Sequence, residues 1–152
     1  MRISELLQNK PQTNPTEIVT CSTENTVAEA IDTMSRNNIG AVVVLRGDNV
    51  AGIFTERDVI QGIHEQGSGF LQQPLDTNMI TDVIVVNPSQ SLDEALEQMN
   101  DNKIRHLPVV EGNRLVGVLS IRDLIVQKLH RVKTTAEFLQ QQVQLGSKPL
   151  PM

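Results

Sequence analysis

Apolar and polar positions in this chain switch between two periods, and the switches mark its elements. Residues 2 to 9 suit a short helix and Lys10 to Pro15 a loop, after which Glu17 to Cys21 reads as a strand. Thr26 and Glu29 form a capping box opening a helix; Val27, Ala30, Ile31 and Met34 share one face, and Asn37-Asn38 ends it. The β-branched run Ala41 to Leu45 predicts a strand, Arg46 to Asn49 a turn, Val50 to Phe54 a second strand, and Thr55 to about Glu65 a helix. Gly67-Ser68-Gly69 breaks the pattern, and the connection over residues 70 to 82 has room for one helical turn near Asp76 to Ile80.

The same order then returns. Val83 to Val86 reads as a strand, Ser91 and Glu94 as a capping box before a helix that buries Leu92, Ala95, Leu96 and Met99. Strand Leu107 to Val110, turn Glu111 to Arg114, strand Leu115 to Leu119 and a helix from Ser120 complete it. A gapless shift of 65 positions carries Glu29 to Glu94, Met34 to Met99, Ile39 to Ile104, Gly52 to Gly117 and Asp58 to Asp123. The chain is therefore a duplication, divided here into residues 1–69 and 70–152. A unit of this size does not cover both faces of its own small sheet, so two copies packed about a pseudo-two-fold axis are expected to share a core. The fold class is α/β in the mixed α+β sense: two tandem β-α-β-β-α repeats.

The second copy ends differently from the first. Ile125, Leu129, Val132, Ala136, Leu139 and Val143 recur at alternating spacings of four and three, which is a heptad seam on an extended C-terminal helix. From Ser120 to Leu145 such a helix would run about 39 Å. It either covers its own repeat or binds a second copy or another protein. Lys148 to Met152 reads as a frayed end.

Composition narrows the function classes. At 152 residues the chain can bury roughly 68–70% of its unfolded surface without a staple. Its apolar runs are strand-sized, so no membrane span is expected, and Met1 to Glu5 does not lead into an apolar signal stretch; the expected compartment is the cytoplasm. The single Cys21, among Ile18, Val19 and Thr20, reads as a buried small residue. Net charge −5, no Trp, no Tyr and three Phe oppose nucleic-acid binding, which needs phosphate-neutralising cations and stacking platforms. No phosphate-binding Lys loop, nucleophile elbow or zinc motif is present, and His64, His106 and His130 lack ligand spacing, so neither catalysis nor a metal is expected.

The candidate chemistry lies in Gly52-Ile53-Phe54-Thr55-Glu56-Arg57-Asp58 and Gly117-Val118-Leu119-Ser120-Ile121-Arg122-Asp123. Hydroxyl and acid three residues apart are, by themselves, a helix cap. The whole arrangement says more. Two β-α-β-β-α copies, each closing on Gly-apolar-apolar-Thr/Ser-x-x-Asp, together with Ile104-Arg105-His106-Leu107-Pro108-Val109-Val110, resemble a tandem pair of CBS domains, a Bateman module, over residues 17 to 129.

That resemblance implies an adenosine-containing ligand between the repeats: AMP first, or ADP, ATP, NAD or S-adenosylmethionine. It further implies that Asp58 and Asp123 take ribose hydroxyls and that Thr55 and Ser120 meet phosphate. A phosphate there would face a helix N-terminus. Thr20, Ile84 and Ile104 would form adenine walls. Arg57 and Arg122 sit at the second helical positions, where an anion would offset their clash with the dipole. Only the second repeat carries Arg105-His106, opposite Gly40-Ala41 in the first, which favours Ser120 and Asp123 as the phosphate site. The resemblance also implies a homodimer and an unidentified regulated protein as partners. The alternative is a ligand-free interaction scaffold acting through the last helix.

Overall fold

The computed structural model describes residues 1–8 and 18–147. The loop read at Lys10 to Pro15, the strand start at Glu17 and the tail at Lys148 to Met152 lie outside them. Helix α1 (Ile3–Gln8) is followed by β1 (Thr20–Ser22), α2 (Val27–Arg36), β2 (Ala41–Arg46), β3 (Asn49–Thr55) and α3 (Glu56–Gln66). Two 3₁₀ turns, Gly67–Gln72 and Leu75–Thr77, lead to α4 (Leu92–Asn102), β4 (His106–Glu111), β5 (Arg114–Ser120) and α5 (Ile121–Ser147). Gly67 closes α3 at φ +67, a conformation that glycine adopts without steric cost.

The strands form one five-stranded sheet in the order β1-β2-β3-β5-β4. Each repeat contributes an antiparallel hairpin, β2–β3 or β4–β5, with a register shift at equivalent places, Val44/Leu45 and Val109/Val110. The two hairpins join in the sheet through the strand pair Asn49↔Arg114. These two residues are related by the 65-position shift, so the pseudo-two-fold axis passes between them.

One expected element is nearly missing. Val83 to Val86 forms no strand; only Val86 bridges Val109, at the position where Cys21 pairs with Val44 in the first repeat. Val86 N–H donates to Pro108 O and Val110 N–H donates to Val86 O. In a parallel ladder the next donors would be residues 108 and 88, and both are prolines without an N–H. Their first-repeat equivalents are Val43 and Thr23, and Thr23 N–H does extend the ladder to Leu45 O.

Two buried clusters fill the interior, one per repeat, rather than one merged core. The first joins Val27, Ala30, Met34, Val42, Val44 and Phe54 to Phe70 and Leu75 of the connection. The second joins Leu92, Ala95, Met99, Leu107, Leu119 and Leu124 to Ile3 and Leu6 of α1. Thus the segment preceding each repeat packs on the other one. The hydrogen bonds repeat accordingly: Val27 N–H to Gln73 O and Leu75 N–H to Asn25 O match Leu92 N–H to Met1 O and Ile3 N–H to Gln90 O.

This crossing explains both motif glycines. A Cβ at residue 52 would stand 2.5 Å from Met79 Sδ and 2.8 Å from Ile80 O; one at residue 117 would stand 2.7 Å from Leu7 Cδ2. Glycine is needed where a second segment crosses the strand.

Helix α5 is anchored at its start by buried Leu124 and by Lys128 Nζ on Asp93 Oδ1, 2.7 Å away on α4. From Lys128 to Val143 every residue is exposed. The extended C-terminal helix is therefore present, but this part of it does not cover its own repeat.

Candidate functional site

Each motif turn is built by a strand handing its last hydroxyl to the next helix. Thr55 ends β3 and caps α3: Asp58 N–H donates to Thr55 Oγ1 at 3.4 Å, while Asp58 Oδ2 accepts from Thr55 N–H at 2.9 Å and Thr55 Oγ1 at 3.0 Å. Ser120 ends β5 likewise: Asp123 N–H donates to Ser120 Oγ at 3.1 Å and Asp123 Oδ2 accepts from Ser120 N–H at 3.0 Å. Both pairs are thus reciprocal capping boxes, as are Thr26 and Glu29 on α2. At α4 the box is half formed. Ser91 accepts from Glu94 N–H, but the Glu94 carboxylate takes a bond from Gln90 Nε2 at 3.3 Å instead.

What distinguishes the second motif is its neighbour. His106 opens β4 directly opposite Ser120, and Arg105 O accepts the Ile121 N–H at 2.7 Å. The strand pairing therefore brings the Arg105-His106 pair beside the Ser120–Asp123 cap. Arg105 is exposed and His106 half-buried. In the first repeat the same register sets Ala41 opposite Thr55, with Gly40 O accepting the Glu56 N–H at 3.0 Å.

The electrostatics at His106 come from both repeats. Burial pushes the imidazole below the ordinary histidine range; Glu56 and Asp123 pull it back up, and Arg105 pushes it down. Glu56, the first residue of α3, was not among the residues singled out from the sequence. Its carboxylate carbon lies 3.4 Å from where a Gly40 Cβ would be. The signal was available as a difference between the copies: Glu56 matches Ile121, as Gly40 matches Arg105.

The remaining expected residues are more scattered. Ile84 and Ile104 are partly buried against the second core, while Thr20 is half-buried on β1 opposite Val43. Arg57 and Arg122 are exposed on the first turns of α3 and α5. A hollow of about 390 Å³ between the repeats is lined by Asn49, Val50, Thr81, Val83, Val85 and the 110–113 hairpin, without the four capping residues. Among the described residues no cluster of His, Cys, Asp and Glu could hold a metal, and no helix is long and apolar enough to cross a membrane. Cys21 is buried, and burial raises its thiol pKa, which leaves it unreactive.

Comparison with known proteins bears on this geometry. The sequence pattern of the CBS domain matches residues 14–65 and 75–129. The CBS domain-containing protein YhcV of Bacillus subtilis is 34% identical over 117 residues, 77% of this chain and 83% of that protein. A solved structure of a protein with CBS domains from Burkholderia ambifaria superposes with TM-score 0.79 at 35% identity, covering 86% of this chain and 95% of that one. The CBS domain protein PAE2072 of Pyrobaculum aerophilum, solved in complex with AMP, superposes with TM-score 0.66 at 29% identity, covering 81% and 89%.

Proposed function

This chain belongs to the CBS-domain family, and from that premise we propose that it is a regulatory module that binds an adenosine-containing ligand between its repeats and passes the occupancy to a partner protein. AMP is the first choice among AMP, ADP, ATP, NAD and S-adenosylmethionine. The module catalyses no reaction of its own and works in the cytoplasm as a homodimer. The observation that carries the reading is the placement of Arg105-His106 beside the Ser120–Asp123 cap. A phosphate there meets a cation, an imidazole able to gain a proton, and the N-terminal amides of a long helix. Asp123 takes the ribose hydroxyls, Ser120 and Arg122 border the phosphate, and Ile84, Ile104 and Thr20 supply apolar walls for adenine. Thr55, Asp58 and Arg57 form the corresponding weaker site, without the cation pair.

Capping and ligand binding by Asp123 are separable. Loss of a capping side chain costs about 1 kcal/mol of stability. Asp123→Ala is therefore expected to lower the melting temperature and abolish the heat of AMP binding in calorimetry. Glu29→Ala, which breaks the capping box on α2 instead, is expected to lower the melting temperature and leave AMP binding intact. Equal AMP affinity in wild type and Asp123→Ala would remove Asp123 from the site.

A second reading is favoured by α5, where Leu129, Val132, Leu139 and Val143 are each more than half exposed. Here the helix seam holds a second copy or another protein, and the Asp motifs only cap helices. On this reading calorimetry shows no AMP binding, and deleting residues 130–152 is expected to reduce the number of chains in the sedimenting species or to release the bound partner; an unchanged stoichiometry and a retained partner would count against the seam.

A further inference from the structure

We propose that the exposed part of α5 pairs with α5 of a second copy of this chain in an antiparallel coiled coil. This inference rests on the homodimer of the reading above, to which it gives an interface; it does not depend on nucleotide binding. From Lys128 to Val143 every residue of α5 is exposed, and Ile125 just before them is 43% exposed. A lone chain therefore leaves the apolar seam Ile125, Leu129, Val132, Ala136, Leu139 and Val143 in water. At 1.5 Å per residue the seam is about 27 Å long.

The seam matches itself in one antiparallel register. Its spacings of four, three, four, three and four read the same in both directions. With a two-fold axis at residue 134, Ile125 faces Val143 of the second copy, Leu129 faces Leu139 and Val132 faces Ala136, each pair occurring twice. A shift of one heptad in either direction loses two of these six layers. Three features oppose a parallel pair. In heptad terms Ile125 and Val132 occupy d and Leu129 and Ala136 occupy a, the reverse of what parallel two-stranded coils favour. A parallel pair also sets Ala136 against Ala136 and leaves a gap, which the antiparallel pair fills with Val132. Charge is the third. Lys128, Arg131 and Lys133 lie in the first half of the exposed stretch, whereas residues 134–143 carry Glu137 and no cation. Lys128 is already held by Asp93 on α4. Parallel pairing lays one basic stretch along the other, while antiparallel pairing lays it along the half that holds Glu137. Lys133 meets its own copy beside the axis, with Glu137 of each chain one turn away. The antiparallel pair also sets the two folded bodies at opposite ends of the coil.

The test uses the full chain, first in sedimentation velocity and then by disulfide trapping. Wild type is expected to sediment as two chains. Leu139→Glu changes an exposed position and disturbs neither core, and it is expected to sediment as one chain, a twofold loss of mass with the circular dichroism of the body retained. For the orientation, Leu129→Cys and Leu139→Cys chains are oxidised separately and mixed; Cys21 is buried and does not compete. A covalent dimer is expected only in the mixture. Covalent dimers of either variant alone, or none in the mixture, would overturn the antiparallel register. A wild type of one chain overturns the proposal and the homodimer with it, and leaves the seam to a different protein. If Leu139→Glu stays as two chains, the coil is overturned and the homodimer is made by another face. AMP calorimetry on the wild type judges the nucleotide reading independently of these outcomes.

Discussion

His106 ties the charge state of the site to pH. Its folded pKa lies below the ordinary 6.5, chiefly because burial penalises the imidazolium. The unfolded chain therefore binds the proton more readily, so the stability that neutral His106 contributes is fully present above about pH 6.5 and is lost as pH falls through the lower folded value. On the proposed binding mode a phosphate beside His106 would reverse the preference by stabilising the imidazolium, and AMP binding would take up a proton. Thermal melts from pH 8 to pH 5.5 are expected to show falling stability without ligand and a growing AMP-induced shift. In His106→Gln both trends should weaken, and an AMP shift that does not vary with pH in the wild type would exclude His106 from the phosphate. Ser120, Asp123, Arg105 and His106 could all be read from the sequence, since the caps are local and the basic pair is contiguous. The upward pull of Glu56 on the His106 pKa could not, because the two residues lie 50 positions apart in different repeats.

The two motif turns differ in how they tolerate change. Gly52 and Gly117 each pass under a crossing segment, but the neighbours have different freedom. At residue 52 a Cβ meets the Ile80 backbone oxygen at 2.8 Å as well as Met79, whereas at residue 117 the closest atom is the end of the Leu7 side chain. Backbone cannot move aside as a rotamer can. Gly52→Ala is expected to cost about 1–3 kcal/mol and Gly117→Ala distinctly less, checked by urea unfolding of both variants. Equal costs would mean that the Ile80 bridge to Ile53 yields easily. The same close pairing explains an element misread from periodicity. Val83 to Val86 has the β-branched composition of a strand, yet Pro88 and Pro108 deny it the flanking ladder bonds. Both prolines are visible in the sequence, but their effect needs the register.

For the molecule as a unit, the segment exchange makes each repeat depend on residues that precede the other. Ile3 is fully buried in the second core although it lies before the first repeat. Ile3→Ala is expected to cost about 3 kcal/mol and to reduce hydrogen-exchange protection in α4 more than in α2. Preferential loss in α2 would contradict the packing. The exchange also joins the repeats more firmly than the single Asn49↔Arg114 strand pair could, since hydrogen bonds and apolar side chains cross at both ends of the sheet. Past this body α5 continues for about four further turns with its seam uncovered.

Periodicity and turn residues were enough to specify the helix, hairpin and helix of each repeat, their capped turns and the long last helix, because each of these is set by residues within one or two helical turns of each other. The near loss of the strand at Val83 to Val86, the crossing of α1 and the connecting segment onto opposite repeats and the departure of α5 from the body were fixed only on folding. Each depends on which distant backbone N–H, apolar face or charge lies across a contact, and a single strand of text does not record that pairing.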